Sequence, residues 1–328
     1  MSLQHYIQKF QKLRVDRAHA GFAPHKPILL LSVIECVAHG YIQTNKVFIT
    51  PELVATFKEN WSILASDNFQ PRFALPFYHL TSDRFWKLQA KEGYENAVAM
   101  RGTMRNFAHL NEAIEYAELP ENLFQLLLEK ESREILRQVL LDTYFPAQKA
   151  AYLSKRGEYL QQIEDKILHL SPSEYKKEIE QALASNDEEE VFSRGGSFKK
   201  KVPQIYNYTC AISGMKVTAV ADISMIDACH IIPFKISYDD TISNGIALCP
   251  NLHRAFDRGL ITVDDTYRVV VSNHFVENSD SMFNLRQFSG KRFQLPNNKE
   301  FFPALENFAW HRAHRFERWL NPNLSTLS

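Results

Sequence analysis

Two histidines and an asparagine stand in this chain at spacings from which a hydrolytic site can be built. His230 ends the apolar stretch Met225-Ile226-Asp227-Ala228-Cys229-His230-Ile231-Ile232, Asn244 follows fourteen residues later, and His253 opens a helical segment after Leu248-Cys249. A neutral imidazole accepts a proton near physiological pH and can also ligate a metal. A carboxamide both donates and accepts, so Asn244 suits the holding of an imidazole or of a loop. Two carboxylates lie close by: Asp227 on the stretch that delivers His230, and Asp257 four residues after His253, on the same helix face. This set of residue types points to acid–base chemistry assisted by a cation.

Short elements must position these groups. The pattern predicts a strand and turn over 208–214 and a second strand over 225–232, where Pro233 blocks extension of the ladder. Residues 251–256 have helical character, with Gly259 as the stop. Residues 261–271 then alternate as a hairpin around Asp264-Asp265.

The order Cys229-His230-Ile231-Ile232-Pro233, Asn244, Leu248-Cys249 and Asn251-Leu252-His253 resembles the HNH nuclease signature. The resemblance implies a ββα-metal fold and metal-assisted hydrolysis of a phosphodiester. It makes His230 the group that activates water, gives Asn244 a holding role and places His253 on a divalent ion such as Mg²⁺, Mn²⁺, Co²⁺ or Ni²⁺. Many HNH proteins have Asp or His just before the first histidine as a metal ligand, whereas here that residue is Cys229. Thiolate is a poor partner for Mg²⁺, so Asp227 or Asp257 is expected as the second ligand. Some HNH proteins also hold a structural zinc through two CxxC pairs. Here Cys210 is followed at the third position by Ser213, and Cys249 by Leu252, so no structural zinc is expected.

With 328 residues, two domains are the natural expectation. The 38 basic and 38 acidic side chains cancel, which argues against a protein that grips DNA by overall charge. Basic residues are therefore expected on one face. Four cysteines, no secretory pattern at the start and no apolar run long enough for a bilayer lead us to expect a soluble, cytoplasmic protein. The fold class expected is α+β and multidomain: a mainly helical unit over 1–146, a helical linker over 147–202 and a nuclease unit over 203–328. Within the linker, the acidic run 185–190, the pair Gly195-Gly196 and the basic run Lys199-Lys200-Lys201 resemble a tether entering the nuclease, with the lysines able to track phosphates.

The N-terminal region is by composition a helical domain with aromatic anchors, without a carboxylate pair or a nucleophile–base pair. Pro24-His25-Lys26-Pro27 runs into the apolar Ile28-Leu29-Leu30-Leu31, and Pro27 suits a first helical turn. This run, with the Pro76-Phe77-Tyr78-His79-Leu80 and Phe85-Trp86-Lys87-Leu88 elements, resembles the sulfur-binding domain of type IV restriction enzymes. The resemblance covers about the first 150 residues. With the HNH segment behind it, the domain order is that of the McrA-like, phosphorothioate-dependent restriction endonucleases.

That resemblance implies double-stranded, phosphorothioated DNA as the partner. Sulfur is more weakly hydrated than oxygen, so a shallow apolar cup favours it while an oxygen loses hydration without return. Leu75, Pro76 and His79 are expected to line the cup, with Lys26 and Arg101 pairing the phosphate charge over aliphatic stems and His25 touching a base edge or the backbone. Leu75 stands where relatives often carry an aromatic residue. Arg14 and Arg17, three apart, and Arg105, four after Arg101, are further expected DNA contacts. A double-strand break needs two cuts, so a homodimer is expected. The basic helix at 305–320, with His311, Arg312, His314, Arg315 and Arg318, reads as a cover for the nuclease sheet with a solvated face. Two other readings stay open: an HNH nuclease that reads methylated or unmodified sequence, and a non-catalytic DNA-binding regulator on a decayed HNH fold.

Overall fold

In the computed structural model the described residues are 2–16, 22–66, 68–100, 106–154, 158–218, 224–278, 281 and 283–318. Arg17, Arg101 and Arg105 lie outside them, as do Trp319 and Leu320. The chain forms two units, Met1–Ile163 with Asn186–Ser193, and Glu164–Ser185 with Arg194–Ser328. Both mix helix with small sheets, an α+β, multidomain architecture. Among the described residues, no helix is long and apolar enough to cross a membrane.

The first unit is built around α2 (His25–Ala38), which follows α1 (Leu3–Gln11). From Lys26 to Ile34, and again at Cys36 and Val37, every α2 residue is buried, as expected of a helix that is apolar on all sides. After β1 (Lys46–Val47), α3 (Pro51–Leu64) packs on it. Thr50 caps α3 by accepting from the Leu53 amide at 3.3 Å, and Pro51 occupies the first turn, where no amide partner is needed. The short α4 (Ala74–His79), β2 (Lys87–Ala90), α5 (Glu95–Ala99), α6 (Phe107–Ala113) and β3 (Ile114–Glu118) follow. The three strands form an antiparallel sheet in the order β1-β3-β2, with Ala117 of β3 facing Val47 and Leu88. Helices α7 (Glu121–Leu128), α8 (Lys130–Tyr144) and α9 (Lys149–Ser154) complete the packing.

Helices α10 (Glu158–His169), α11 (Pro172–Ala184) and α12 (Glu188–Ile205) follow. Here the structure departs from a loose tether. Gly195 and Gly196 lie inside α12, whose Ser193, Ser197, Phe198 and Val202 are buried. Tertiary packing overrides the weak helix propensity of glycine. The acidic run is docked on the first unit: Lys58 binds Asp187 at 2.7 Å and Glu190 at 3.1 Å, Glu188 accepts from the Ala108 amide and Glu189 from the Phe73 amide. Lys201 is paired with Glu164 at 2.7 Å.

In the second unit β4 (Asp227–His230) pairs antiparallel with β5 (Gly245–Leu248), and α14 (Pro250–Asp257) packs on both; the short α13 (Phe234–Ser237) sits in the connection between the strands. This is the expected ββα arrangement, but 208–214 is a turn and not its first strand. Cys210 bonds Met215 and Gly214 within that turn, and one amide, from Ala211, reaches the Ala247 carbonyl. The hairpin β6 (Ile261–Val263) with β7 (Val269–Val271) forms around Asp264-Asp265. Gly259 ends α14 at φ +69°, and a Cβ there would lie 2.0 Å from the Arg315 carbonyl oxygen. Helix α15 (Leu305–His314) covers β6, and its Phe308 is buried among Phe256, Tyr267 and Phe293. His311 is a core residue, not part of a solvated basic face. It bonds Thr262 at 2.9 Å and the Phe256 carbonyl at 3.1 Å, and stacks on the Phe256 ring at 3.8 Å.

Candidate functional site

His230 is the last residue of β4 and stands opposite Gly245 of β5. Its Nε2 lies 2.8 Å from Oδ1 of Asp240, a fully buried carboxylate that sequence reasoning missed. An ionised carboxylate can only accept, so Asp240 fixes the proton on Nε2 and leaves Nδ1 as the lone-pair nitrogen. Asp240 is held in turn by the Tyr175 hydroxyl of α11 at 3.3 Å. The His230 ring stacks on Phe198 of α12, 4.0 Å between centroids and 10° between planes. Gly245 permits this approach, since a Cβ there would lie 2.6 Å from Val202 Cγ2 and 2.9 Å from the Phe198 ring.

Asn244 is fully buried and does not bond the imidazole. Its Oδ1 accepts from the Ile232 amide and its Nδ2 donates to the Ile232 carbonyl, both at 2.9 Å, while Nδ2 also donates to the Asp239 carbonyl at 3.0 Å. It therefore ties together both ends of the loop that brings Asp240 to His230. Of the two holding roles open in the sequence, the geometry has the loop.

His253 on α14 stands between two carboxylates. Asp227 approaches Nδ1 at 3.4 Å and Asp257 approaches Nε2 at 3.5 Å. Cys229, His253 and Asp257 place one donor atom each within 4.8 Å of one another. Burial, reinforced by the charges of Asp257 and Asp227, pushes the Cys229 thiol well above its ordinary range. It stays a protonated, apolar group and offers no thiolate. Burial also raises the Asp257 carboxyl, against the pull of His253, Arg315 and His230. The His253 imidazole and the Asp257 carboxylate offer nitrogen and oxygen donors that fit a hard divalent cation, while Asp227 stands on the opposite ring nitrogen of His253. His230 and Asp257 open on one cleft of ≈ 190 Å³ together with Pro233 and Arg315.

The first unit holds a separate cleft of ≈ 510 Å³, lined by Arg14, His25, Lys26, Leu75, Pro76 and His79 with Phe69 and Ser82 among its walls. Every expected DNA-contact residue that lies within the described part of this unit meets there. Lys26 nonetheless departs from expectation. Its ammonium is buried and gives its three donors to the Arg14 carbonyl, Ser82 Oγ and Asp83 Oδ2 at 2.7–2.8 Å. With no donor left for a phosphate, it lends the cleft its stem and locks the Arg14 turn against Ser82-Asp83. His25 bonds the Gln70 carbonyl at 3.0 Å and packs on Trp61, and burial holds its imidazole below the usual range, hence neutral. His79 is lowered likewise, by burial and then by the Lys26 charge.

These two sites fall in segments that match known families. Residues 3–157 match the family described as ScoMcrA-like, DNA sulfur-binding domain, and residues 210–264 match that described as HNH endonuclease. This chain joins a ScoMcrA-like sulfur-binding domain to an HNH endonuclease domain. The HNH match contains Asp227, His230, Asn244, His253 and Asp257, and the sulfur-binding match contains every residue named around the larger cleft. HNH endonuclease domains generally use a divalent metal. No curated protein matches the chain. Among solved structures, it is similar to a modification-dependent TagI restriction endonuclease, at 21% identity over 35% of this chain and 36% of that one, with a TM-score of 0.28. It thus spans about a third of that enzyme's length. It is also similar to the sulfur-binding domain of SprMcrA complexed with phosphorothioated DNA (19% identity, 44% of this chain, 86% of that chain, TM-score 0.35). The type IV phosphorothioation-dependent restriction endonuclease ScoMcrA is similar at 12% identity over 76% of this chain and 93% of that chain, with a TM-score of 0.32.

Proposed function

We propose that this protein is a modification-dependent restriction endonuclease that binds phosphorothioated duplex DNA through its first unit and hydrolyses nearby phosphodiesters in its second. The observation that carries the reading is the convergence of His230, oriented by buried Asp240, with Asp257 on one cleft beside His253. His230 takes the proton of the attacking water on Nδ1, and Asn244 fixes the loop that holds Asp240. His253 and Asp257 would hold a divalent ion, which would supply charge stabilisation to the departing oxygen. Asp227 fixes the other ring nitrogen of His253, as outer partners of metal-bound histidines commonly do.

In the sulfur-binding domain, Leu75, Pro76 and Phe69 give the cleft its apolar wall, and the positive end of α2 faces it through His25. A weakly hydrated sulfur is favoured there over an oxygen that must surrender its water. We assign residues 1–146 to the reader, 147–202 to a helical linker and 203–328 to the nuclease. Two strands need two cuts, which a homodimer in the cytoplasm would supply. The test is cleavage of a duplex carrying one phosphorothioate, with Mg²⁺, Mn²⁺, Co²⁺ and Ni²⁺ in turn. Wild-type protein is expected to cut and His230→Ala to bind but not cut; cleavage retained in His230→Ala would remove His230 from the role of base.

A further inference from the structure

We propose that α1 and the turn at Arg84 form a phosphate track beside the sulfur cleft, one that grips the DNA backbone away from the modified linkage. The proposal rests on the reading of the first unit as the DNA-binding reader.

A second concavity, of ≈ 360 Å³, is lined by His5, Lys9, Lys12, Arg14 and Arg84. It shares Arg14 and Ser82 with the sulfur cleft, so the two run into one another. In a chain whose charges cancel, four cationic side chains on one concave surface are a local concentration. Lys9, Lys12, Arg14 and Arg84 have no ion-pair partner among the described residues, whereas Lys26, Lys58, Arg137 and Lys149 of the same unit do. The one acid in the concavity, Asp83, is buried and neutralised by Lys26 at 2.7 Å.

The cations are also held in place. Tyr6 and Phe10 anchor α1 in the core, and the Tyr6 hydroxyl donates to Asn122 at 2.9 Å. Lys9 in the last turn of α1 and Lys12 at its C-terminal cap are thereby held in place. Arg84 adopts a left-handed backbone, φ +65°, at the end of the Leu80–Asp83 turn. Such a backbone is unfavourable for a non-glycine residue and concentrates at functional positions. Successive unpaired cations on rigid elements suit a polyanionic backbone, whose contacts position the duplex without reading sequence.

The test is binding by the full-length protein in EDTA, which prevents cleavage, to one duplex with and without a single phosphorothioate, between 50 and 200 mM salt. Each phosphate contact removed is expected to lower the slope of log affinity against log salt by about 0.9. Lys9→Gln/Lys12→Gln should therefore lose about 2 from the slope, and Arg84→Gln about 1. Over that salt range wild-type affinity should fall about tenfold more than that of the double variant. Both duplexes should lose affinity by the same factor, with the sulfur preference intact. Wild-type slopes in these variants, or an equal loss in the control Lys130→Gln at the exposed start of α8, would overturn the track. If wild-type protein binds both duplexes equally while the variants lose slope, the track stands and the sulfur reading fails. Binding to neither duplex overturns both.

Discussion

Gly245→Ala isolates the contact that seats the His230 imidazole. The backbone of Gly245 is extended, φ −114° and ψ 135°, so alanine meets no conformational penalty there. The whole cost is steric: the new Cβ would stand 2.6 Å from Val202 Cγ2 and 2.9 Å and 3.1 Å from atoms of the Phe198 ring, both fully buried side chains. Overpacking of this kind costs about 1–3 kcal/mol, and the lost unfolded-state freedom of glycine returns about 0.4–1 kcal/mol. The net expectation is roughly 1–2 kcal/mol of destabilisation, or about 2–8 °C in the transition of a unit of this size. Because Phe198 stacks on His230, cleavage should also fall, while binding to phosphorothioated DNA by the first unit should not change. Adding Val202→Ala removes the tightest contact, so the double variant should be less destabilised than the sum of its parts by about 0.5–3 kcal/mol. Urea denaturation of the four proteins reads this directly. A Gly245→Ala protein as stable as wild type, or strictly additive variants, would refute the packing argument.

The remaining predictions concern the tautomer and the pH dependence. Asp240→Asn keeps the shape but removes the charge; with its oxygen accepting from the Tyr175 hydroxyl, its NH2 group faces Nε2 and drives the imidazole proton to Nδ1, so cleavage should drop by about 10²–10⁴-fold with DNA affinity unchanged. Wild-type cleavage in that variant would remove Asp240 from the mechanism. Burial lowers His311 to about 3, below its unfolded value of 6.5, so the fold favours the neutral ring. That stability is fully present above the unfolded value and is lost as pH falls toward 3, by up to about 2 kcal/mol between pH 7 and 5. His311→Gln should flatten this limb of the stability–pH curve, and an unchanged curve would show that another group governs it.

Much of the site was legible because its residues are close in sequence. His230, Asn244, His253 and the two carboxylates fall within thirty-one residues, and a strand followed by a helix brings such a segment together without help from the rest of the chain. The partners supplied by distant packing were not. Phe198 lies thirty-two residues before His230 in a stretch whose glycines and charges suggested a tether, and nothing local shows that it packs beside Gly245 of β5. Asp240 had a faint signal in the Asp239-Asp240 pair, but nothing local distinguishes a buried acid from a solvated one. In the first unit the apolar run of α2 and the cleft residues Leu75 and Pro76 were visible. That Lys26 faces inward was not, because its partners, Ser82 and Asp83, lie more than fifty residues away. His311 was misplaced for the same reason: a basic helix sequence hides one histidine turned toward the core.

The most direct test of the account is a mobility-shift titration of the full chain, in EDTA and at fixed moderate salt, with one duplex that differs only by a single phosphorothioate. The account predicts a large preference for the sulfur-bearing duplex, retained in His230→Ala. Equal affinity for the two duplexes would contradict it and leave an HNH endonuclease domain whose DNA target is set by something other than sulfur.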